Sequence, residues 1–190
     1  RNLKLFSEGF LEYLSGFRFS LDAWAMPEGT IFFANEPIIR VTAPIIEAQI
    51  IESFLLNTVN LQTMIASKAM RVVSAAKGRK VYDFSLRRTH GQDAGIKAAR
   101  ASYIAGCHGT SNCLAGKLYN IPVLGTMAHS FVMSFKHEMD SFLAYSSTFP
   151  ERTTLLVDTY NTRKGIENAV IIGLCLKEKE AATCCRRTMG

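Results

Sequence analysis

Four polar, glycine-containing segments of the 190-residue chain carry the side chains that could do chemistry. They combine guanidinium groups, small hydroxyls, one imidazole and one carboxylate. A phosphorylated ligand needs a donor for each phosphate oxygen, and such donors are supplied by guanidinium forks, hydroxyls and backbone amides at helix N-termini. These residue types therefore predict a site for a phosphate-bearing substrate. Its candidate members are Arg87, Arg88, Thr89, Thr110, Ser111, Asn112, Thr126, His129, Ser130, Asp158 and Thr159.

His129 has the most specific chemistry of this set. It directly precedes Ser130 at the expected start of a helix, so its imidazole could accept a phosphoryl group beside helix-end amides. The alternative is a histidine that only hydrogen-bonds a neighbouring carboxylate, which is the commoner role. His90, His108 and His137 fit that alternative better than His129 does.

Two further residues stand at the ends of expected strands. Asp158 could orient an imidazole, bind ribose hydroxyls or contact a metal, and its alternative role is a helix N-cap. Phe84 lies beside the arginines and could stack on a planar ring, although a core aromatic on a strand is nearly as good an interpretation.

Composition and charge set the general class. Hydrophobic residues make up 48% of the chain and charged residues 20%, which is typical of a folded globular protein. The net charge is +6, and +5 of it lies in the window from Arg71 to Arg88. Such a local concentration predicts an anion site or one solvated edge and argues against a nucleic-acid partner.

The cysteines and the hydropathy pattern bear on location. Five cysteines, an odd number without CxxC spacing, favour a reduced cytoplasmic interior over a disulfide framework or a zinc site. The longest charge-free stretch in the apolar middle, residues 53–67, is too short and too polar to span a bilayer. No basic-then-apolar leader opens the chain, so neither export nor a membrane partner is expected.

The first part of the chain predicts a mixture of helix and strand. Helical spacing of apolar residues predicts a helix over 7–15, and the runs 30–33 and 38–41 predict two strands joined by a turn. Residues 44–76 read as helical, with a break near 57–60 that divides them into two helices.

After Gly78 the pattern alternates strand, polar loop and helix. This alternation predicts a parallel sheet with right-handed crossover helices, and it places the polar loops on one rim at the carboxyl ends of the strands. The expected strands are 80–84, 122–124 and 153–157, and the expected helices are 93–104, up to 119, from 131 through 142 after the polar segment 125–130, and 166–176. The last residues show no periodicity and are expected to be irregular.

Four segments resemble the nicotinate phosphoribosyltransferase family, in the right order and spacing. The segments are 82–91 (YDFSLRRTHG), 109–116 (GTSNCLAG), 125–132 (GTMAHSFV) and 155–160 (LLVDTY), with weaker support from 33–37 and 47–52. The match covers about residues 3 to 178. Four ordered motifs are far more specific than any one of them.

This resemblance implies an α/β fold in three parts. Residues 1–78 would form part of an α/β sandwich domain with a helical connection, residues 79–178 part of an irregular β/α barrel with parallel strands and crossover helices, and residues 179–190 an irregular tail. The N-terminal tyrosine segment of the family and the run of the Arg-Leu-Asp-Ser-Gly-Asp type are absent from the chain. A fragment that lacks the N-terminal segment and the C-terminal half is therefore expected.

The resemblance also implies a reaction. Nicotinate and phosphoribosyl pyrophosphate would give nicotinate mononucleotide and pyrophosphate, coupled to ATP hydrolysis with Mg²⁺, as a step of NAD biosynthesis. The full-length enzyme is expected to be a cytoplasmic homodimer. Two alternatives stay open: a catalytically incomplete fragment that binds phosphate or associates with other subunits, and a phosphoribosyltransferase that uses nicotinamide or quinolinate.

Individual roles follow from the matched motifs. His129 matches the histidine that ATP phosphorylates, Phe84 the aromatic that stacks on the pyridine ring, and Arg87 an arginine near the ring and phosphate. Ser111 and Asn112 fall where the related nicotinamide enzyme has an aspartate, and neutral side chains there favour the acid over the amide. The expected catalytic residues are His129 and Asp158. The expected substrate-binding residues are Phe84, Arg87, Arg88, Thr89, Ser111, Asn112, Thr126, Ser130 and Thr159, with no protein metal ligand.

Overall fold

The chain divides into two compact units, Arg1–Val123 and Leu124–Gly190. A computed structural model describes the backbone of residues 5–188 and the side chains of residues 5–178. The expected division after residue 78 lies inside the first unit and stays a prediction. None of the helices within the described backbone combines the length and apolarity needed to cross a membrane.

The first helix agrees with its sequence pattern. Helix α1, Glu8–Ser15, begins after Ser7, whose hydroxyl accepts a hydrogen bond from the backbone N–H of Phe10 at 3.4 Å. Gly16 follows its last residue. Serine is a favoured N-cap because its side chain satisfies a backbone donor that the helix leaves free, and the predicted helix over 7–15 is confirmed.

The hairpin expected in this region has a different first strand. Strand β1, Asp22–Ala25, pairs antiparallel with β2, Ile39–Thr42. The prediction of a strand over 30–33 is therefore wrong, because these residues belong to the connection between β1 and β2. Gly29 and Asn35 have φ values of +85° and +69°, and such left-handed residues turn the chain away from an extended path.

A single long helix follows. Helix α2, Ile45–Ala75, runs for 31 residues after Pro44, so the predicted break near 57–60 is wrong. Asparagine costs only about 0.7 kcal/mol in a helix interior, and packing of α2 against helix α3, Gln92–Ile104, outweighs that cost. Gly78, with a φ of +82°, follows the helix, as expected for a stop signal.

The predicted parallel arrangement is present in the first unit. Strand β3, Tyr82–Asp83, pairs parallel with β4, Gly109–Thr110, and helix α3, Gln92–Ile104, connects them. Helix α4, Cys113–Tyr119, follows β4, and Val123 then forms one more parallel bridge to β4. Strand β3 is shorter than the predicted strand 80–84, and β4 lies at residues that were expected in a polar loop, but the parallel direction agrees with the alternating pattern.

The described part of the second unit contains three α-helices and one 3-10 turn, Pro150–Arg152. Helices α5, His129–Met133, and α6, Glu138–Thr148, replace the single helix expected through residues 131 to 142. His137 has an extended backbone, with φ −129° and ψ 142°, and this conformation separates the two helices. Helix α7, Thr162–Thr188, packs against α6. The buried core of the unit consists of Met127, Val132, Phe142 and Ile172.

Two expectations for the second unit differ from the structure. Residues 153–157 pair with no other strand among the described residues, although Leu155, Leu156 and Val157 pack against the core. Helix α7 continues to Thr188, through most of the segment 179–190 that was expected to be irregular, and the final two residues lie outside the described range. Lysine, glutamate and alanine near the start of that segment are strong helix formers.

One ion pair joins distant parts of the first unit. Arg100 on α3 donates two hydrogen bonds to the carboxylate of Glu28, at 2.5 and 2.8 Å, across 72 positions of sequence. These hydrogen bonds hold the pKa of Glu28 below its ordinary value of 4.5, the arginine charge adds to that effect, and partial burial opposes it. The pair attaches the connection between β1 and β2 to the helix that precedes β4.

Replacing Glu28 should produce a pH-dependent loss of stability. A carboxyl with a depressed pKa stabilises the folded state above its unfolded pKa, and this contribution disappears as the pH falls through the lower folded value. Glu28→Gln should therefore lower the free energy of unfolding by about 0.5 to 1 kcal/mol at neutral pH, as for other partly exposed pairs. The difference from wild type should shrink below about pH 4.5 in urea unfolding series.

Glu12 provides a matched control for this measurement. It is exposed on α1 and forms no ion pair with any residue in the described part of the chain, so Glu12→Gln should leave stability nearly unchanged. An equal loss in both variants, or a Glu28→Gln difference independent of pH, would contradict the role of the pair.

Two glycines of α7 provide a test of how closely the backbone of Val157 packs against this helix. A Cβ atom at Gly165 would lie 2.1 Å from the carbonyl oxygen of Val157, whereas a Cβ at Gly173 would meet no atom within 4 Å. Gly165→Ala should therefore destabilise the protein by about 2 to 3 kcal/mol through overpacking. Gly173→Ala should stabilise it by up to about 1 kcal/mol through higher helix propensity.

Thermal and urea unfolding followed by circular dichroism measure both changes. If the two alanine variants shift stability in the same direction by similar amounts, then the close approach of residue 157 to α7 is wrong.

Candidate functional site

The predicted site residues fall into two groups, one in each compact unit. The first unit holds Phe84, Arg87, Arg88, Thr89, Ser111 and Asn112, and the second holds Thr126, His129, Ser130, Asp158 and Thr159. The gathering of all four polar segments at one rim stays a prediction.

In the first unit, the loops that follow β3 and β4 are joined where the two strands end. The backbone N–H of Ser111 donates to the carbonyl of Asp83 at 2.8 Å. The side chain of Asp83 accepts from the N–H of Ser85 at 3.0 Å and from the hydroxyl of Thr110 at 2.8 Å. Sequence reasoning therefore placed these two loops together correctly, but it missed Asp83 as their connection.

The ring and the guanidinium groups of the first loop are accessible. Phe84, directly after β3, is 44% exposed. Arg87 and Arg88 are exposed on a single turn of 3-10 helix, Leu86–Arg88, and neither forms an ion pair with another described residue. An accessible aromatic face and two uncompensated cations beside it suit a planar anionic ligand.

Thr89 and Gly95 shape this loop. The hydroxyl of Thr89 donates to the carbonyl of Leu86 at 2.8 Å, which closes the turn. A Cβ at Gly95 on α3 would lie 2.5 Å from Cδ1 of Leu86, so the turn packs here because α3 carries no side chain at that point. Thr89 thus has a structural contact in addition to its predicted role in substrate binding.

Ser111 and Asn112 have different environments although they are adjacent. Asn112 is 3% exposed, and its Oδ1 accepts from the N–H of Ala115 at 3.1 Å as the N-cap of α4. Its Nδ2 is buried without a hydrogen-bond partner in the described part of the structure. Ser111 is partly exposed and is the more accessible of the two.

A cavity of about 860 Å³ opens beside the first loop. Its walls include Arg88 and Thr89 from the predicted site, together with apolar side chains of α2. Lys68 of α2, His90 and Lys97 add basic character, although Lys97 pairs with Asp93 at 2.7 Å. Of the cations in the basic window 71–88, Arg88 lines this concave surface.

In the second unit, His129 contacts both residues that follow Val157. Its Nδ1 lies 3.2 Å from the hydroxyl of Thr159, and its Nε2 lies 3.9 Å from Oδ1 of Asp158. The imidazole is 44% exposed and the Asp158 side chain 59% exposed. The structure thus brings three predicted residues together around one accessible imidazole.

The local elements explain this arrangement. His129 is the first residue of α5 and does not precede the helix as predicted, and α5 has only five residues and so aligns few peptide dipoles. The backbone of Val157 lies close to Gly165 of α7, and this contact positions the next two residues, Asp158 and Thr159. Asn161, rather than Asp158, caps α7, since its Oδ1 accepts from the N–H of Lys164 at 3.0 Å.

The remaining two predicted residues of this unit lie near His129 in sequence. Ser130 is exposed on α5, and Thr126 is exposed with its hydroxyl donating to the carbonyl of Met127 at 3.1 Å. Both hydroxyls are accessible to a ligand. Contact of these two hydroxyls with a substrate stays a prediction.

The titratable groups of the described residues form no metal cage. No group of three or more histidine, cysteine, aspartate or glutamate side chains within the described residues could hold a metal ion.

Burial raises the pKa of the Cys107 thiol above its ordinary value of 9.0, and the nearby charge of Asp83 raises it further. A thiol with a raised pKa is a poor nucleophile at neutral pH, so Cys107 is a packing residue.

Comparisons with known proteins agree with the resemblance noted in the sequence. The nicotinate phosphoribosyltransferase N-terminal domain family matches residues 1–60. Nicotinate phosphoribosyltransferase pncB2 of Mycobacterium tuberculosis is 54% identical over 170 residues, which cover 90% of this chain and 36% of that protein. Nicotinate phosphoribosyltransferase of Bacillus subtilis is 47% identical over 148 residues, which cover 77% of this chain and 30% of that protein.

A solved structure gives the same result at the level of the fold. The crystal structure of human nicotinic acid phosphoribosyltransferase superposes with a TM-score of 0.81 at 28% identity, covering 91% of this chain and 44% of the human chain. The chain thus spans about a third of the length of the curated relatives it matches, 36% and 30% for the two named here. With its mixed α/β fold and this similarity over most of its length, the chain belongs to the nicotinate phosphoribosyltransferase family.

Proposed function

We propose that the chain carries substrate-binding and phosphoryl-accepting residues of a nicotinate phosphoribosyltransferase. The reaction converts nicotinate and phosphoribosyl pyrophosphate to nicotinate mononucleotide and pyrophosphate, coupled to ATP hydrolysis, as a step of NAD biosynthesis. The observation that carries this proposal is the exposed imidazole of His129, held at Nδ1 by Thr159 in a chain 54% identical to a protein of that name.

The hydrogen bond to Thr159 suggests how His129 accepts a phosphoryl group. We assign the proton to Nδ1, which then donates to the hydroxyl of Thr159 and leaves the lone pair on Nε2. Nε2 attacks the γ-phosphorus of ATP, the bond to the bridging oxygen breaks, and ADP leaves with that electron pair. Asp158, at 3.9 Å, stabilises the positive imidazole ring that results, and water later hydrolyses the phosphohistidine.

The first unit supplies the groups that suit nicotinate. The exposed ring of Phe84 stacks on the pyridine ring, and Arg87 next to it offers a guanidinium fork to the carboxylate. Ser111 contributes a neutral hydroxyl where an acidic side chain would repel that carboxylate. This arrangement favours nicotinate over nicotinamide.

Glycosyl transfer requires neutralisation of a departing anion. The bond from ribose C1 to pyrophosphate breaks with its electron pair on the leaving oxygen, and the lone pair of the pyridine nitrogen forms the new bond. Arg88, Thr89, Thr126 and Ser130 offer charge or hydroxyl donors to phosphate oxygens. Magnesium commonly binds one or two carboxylates together with substrate phosphates. The exposed carboxylate of Asp158 would hold such an ion together with substrate phosphates, and Mg²⁺ would supply charge neutralisation there.

The finer architecture belongs to the same proposal. Part of an irregular β/α barrel over 79–178, after part of an α/β sandwich over 1–78, is supported by the parallel β3–β4 pair and by the similarity to the human enzyme structure. A cytoplasmic homodimer is proposed for the full-length protein on the family resemblance alone.

A second candidate is a phosphate-binding fragment without turnover. It is favoured by one observation, which is that the chain covers only 36% of its relative from Mycobacterium tuberculosis. A complete catalytic site could then require residues that this chain does not contain.

Product formation distinguishes these candidates. The purified chain is incubated with nicotinate, phosphoribosyl pyrophosphate, ATP and Mg²⁺, and nicotinate mononucleotide is measured by chromatography. Product that falls at least about tenfold in His129→Ala and changes little in His137→Ala, which replaces an exposed histidine of the same unit, favours the enzyme. Nicotinamide or quinolinate in place of nicotinate should give little product. No product, with retained binding of inorganic phosphate, favours the second candidate.

Phosphorylation of His129 is a separate prediction. After exposure to ATP, the chain should carry acid-labile phosphate on His129, located by mass spectrometry under alkaline conditions. Thr159→Val should slow its formation by about tenfold, because the imidazole loses a hydrogen bond that orients it, whereas Thr159→Ser keeps the hydroxyl and should retain the rate. Phosphate found only on serine, or on no residue, would refute the coupling step.

A further inference from the structure

We propose that the buried carboxylate of Asp83 is a positioning residue for the two substrate-binding loops of the first unit. It acts through hydrogen bonds that hold the backbone on both sides of Phe84 and, through Thr110, on both sides of Ser111. This inference rests on the proposed function for the identity of the ligand, but its structural part stands independently.

The Asp83 side chain is buried beside the cavity of the first unit and accepts two hydrogen bonds. Asp83 is 8% exposed and forms no ion pair with any described residue. One oxygen accepts from the N–H of Ser85 at 3.0 Å, and the other accepts from the hydroxyl of Thr110 at 2.8 Å. A buried carboxylate is costly to keep unless such donors compensate for lost water.

The direction of the hydrogen bonds is determined by chemistry. An ionised carboxylate can only accept, so the single hydroxyl hydrogen of Thr110 must point at Asp83. The oxygen of Thr110 is then free to accept from the N–H of Asn112, which lies at 3.0 Å. The chain of donors therefore runs from Asn112 to Thr110 to Asp83.

This network brackets the two residues that we assign to nicotinate. Phe84 lies between Asp83 and Ser85, which are bonded to each other, and Ser111 lies between Thr110 and Asn112, which are also bonded. Thr110 is completely buried, so the network is shielded from competing water.

The strands alone provide few backbone bonds for this task. β3 and β4 have two residues each, and the hydrogen bonds beside them are those from His108 to Val81 at 2.7 Å and from Ser111 to Asp83 at 2.8 Å. With so short a ladder, the side-chain bonds of Asp83 decide how the two loops leave the strands.

Asparagine at position 83 would break the network while keeping its shape. Its amide has one accepting oxygen and one donating nitrogen, so it cannot accept from both Ser85 and Thr110. One hydrogen bond is lost, or the Thr110 hydroxyl reverses and weakens its bond to Asn112. The matched control is Asp22→Asn, which makes the same chemical change at an exposed position of β1 that forms no ion pair with any described residue.

The test uses the full chain and two readouts. Nicotinate affinity is measured by calorimetry, and amide hydrogen exchange is measured at Ser85 and Asn112 relative to Ala99 in the buried part of α3. Asp83→Asn and Thr110→Val should weaken nicotinate binding about tenfold or more. They should also speed exchange at the two loop amides without an equal change at Ala99. Thr110→Ser and Asp22→Asn should stay within about twofold of wild type for both readouts.

The outcomes separate positioning from general stability and from the proposed function. A uniform rise in exchange that includes Ala99, with nicotinate affinity retained, overturns the positioning role. If Asp83→Asn does not fold, the contrast between Thr110→Val and Thr110→Ser decides. If the wild-type chain does not bind nicotinate, the proposed function fails. In that case, faster exchange confined to Ser85 and Asn112 in Asp83→Asn and Thr110→Val still supports the positioning role of Asp83. Unchanged exchange in these variants refutes that role.

Discussion

The first unit depends on a buried polar junction where its short parallel strands end. Asp83, only 8% exposed, accepts two hydrogen bonds, and Thr110 extends the connection to the next loop. Such bonds are individually modest, but a buried acceptor that loses its donor incurs a desolvation penalty of about 1 to 3 kcal/mol or more. The junction therefore stabilises one loop arrangement against alternatives. Phe84 and Ser111 have defined positions because the residues on either side of each are hydrogen-bonded to one another.

The second unit positions its chemistry by close packing. Gly165 allows the backbone at Val157 to lie against α7, and the next two residues, Asp158 and Thr159, then reach His129. The imidazole stays accessible because α5 is short and begins at that residue. In both units, an exposed candidate side chain, Phe84 or His129, lies close to a backbone segment that is held by buried contacts. This combination orients a group without covering it.

Much of this arrangement could be predicted from local patterns, and the failures have physical causes. The helix over 7–15 and the parallel β3–β4 pair follow from capping, spacing and alternation. Residues 30–33, which were expected to form a strand, belong to a connection, and β1 pairs with β2 in their place. The β propensity of apolar and β-branched residues does not determine which segment pairs with a given strand. The break expected near 57–60 is absent because packing on α3 overrides a weak local preference.

The amino-acid sequence by itself determined the family, the reactive residue types and their order along the chain, because motif identity and spacing are local properties. It also identified His129, Asp158 and Thr159 as candidates. Only the tertiary structure decided which polar groups are buried and bonded to one another. Asp83 became a junction and Asn112 a helix cap because burial removes water as a competing partner, and burial depends on residues far away in the chain.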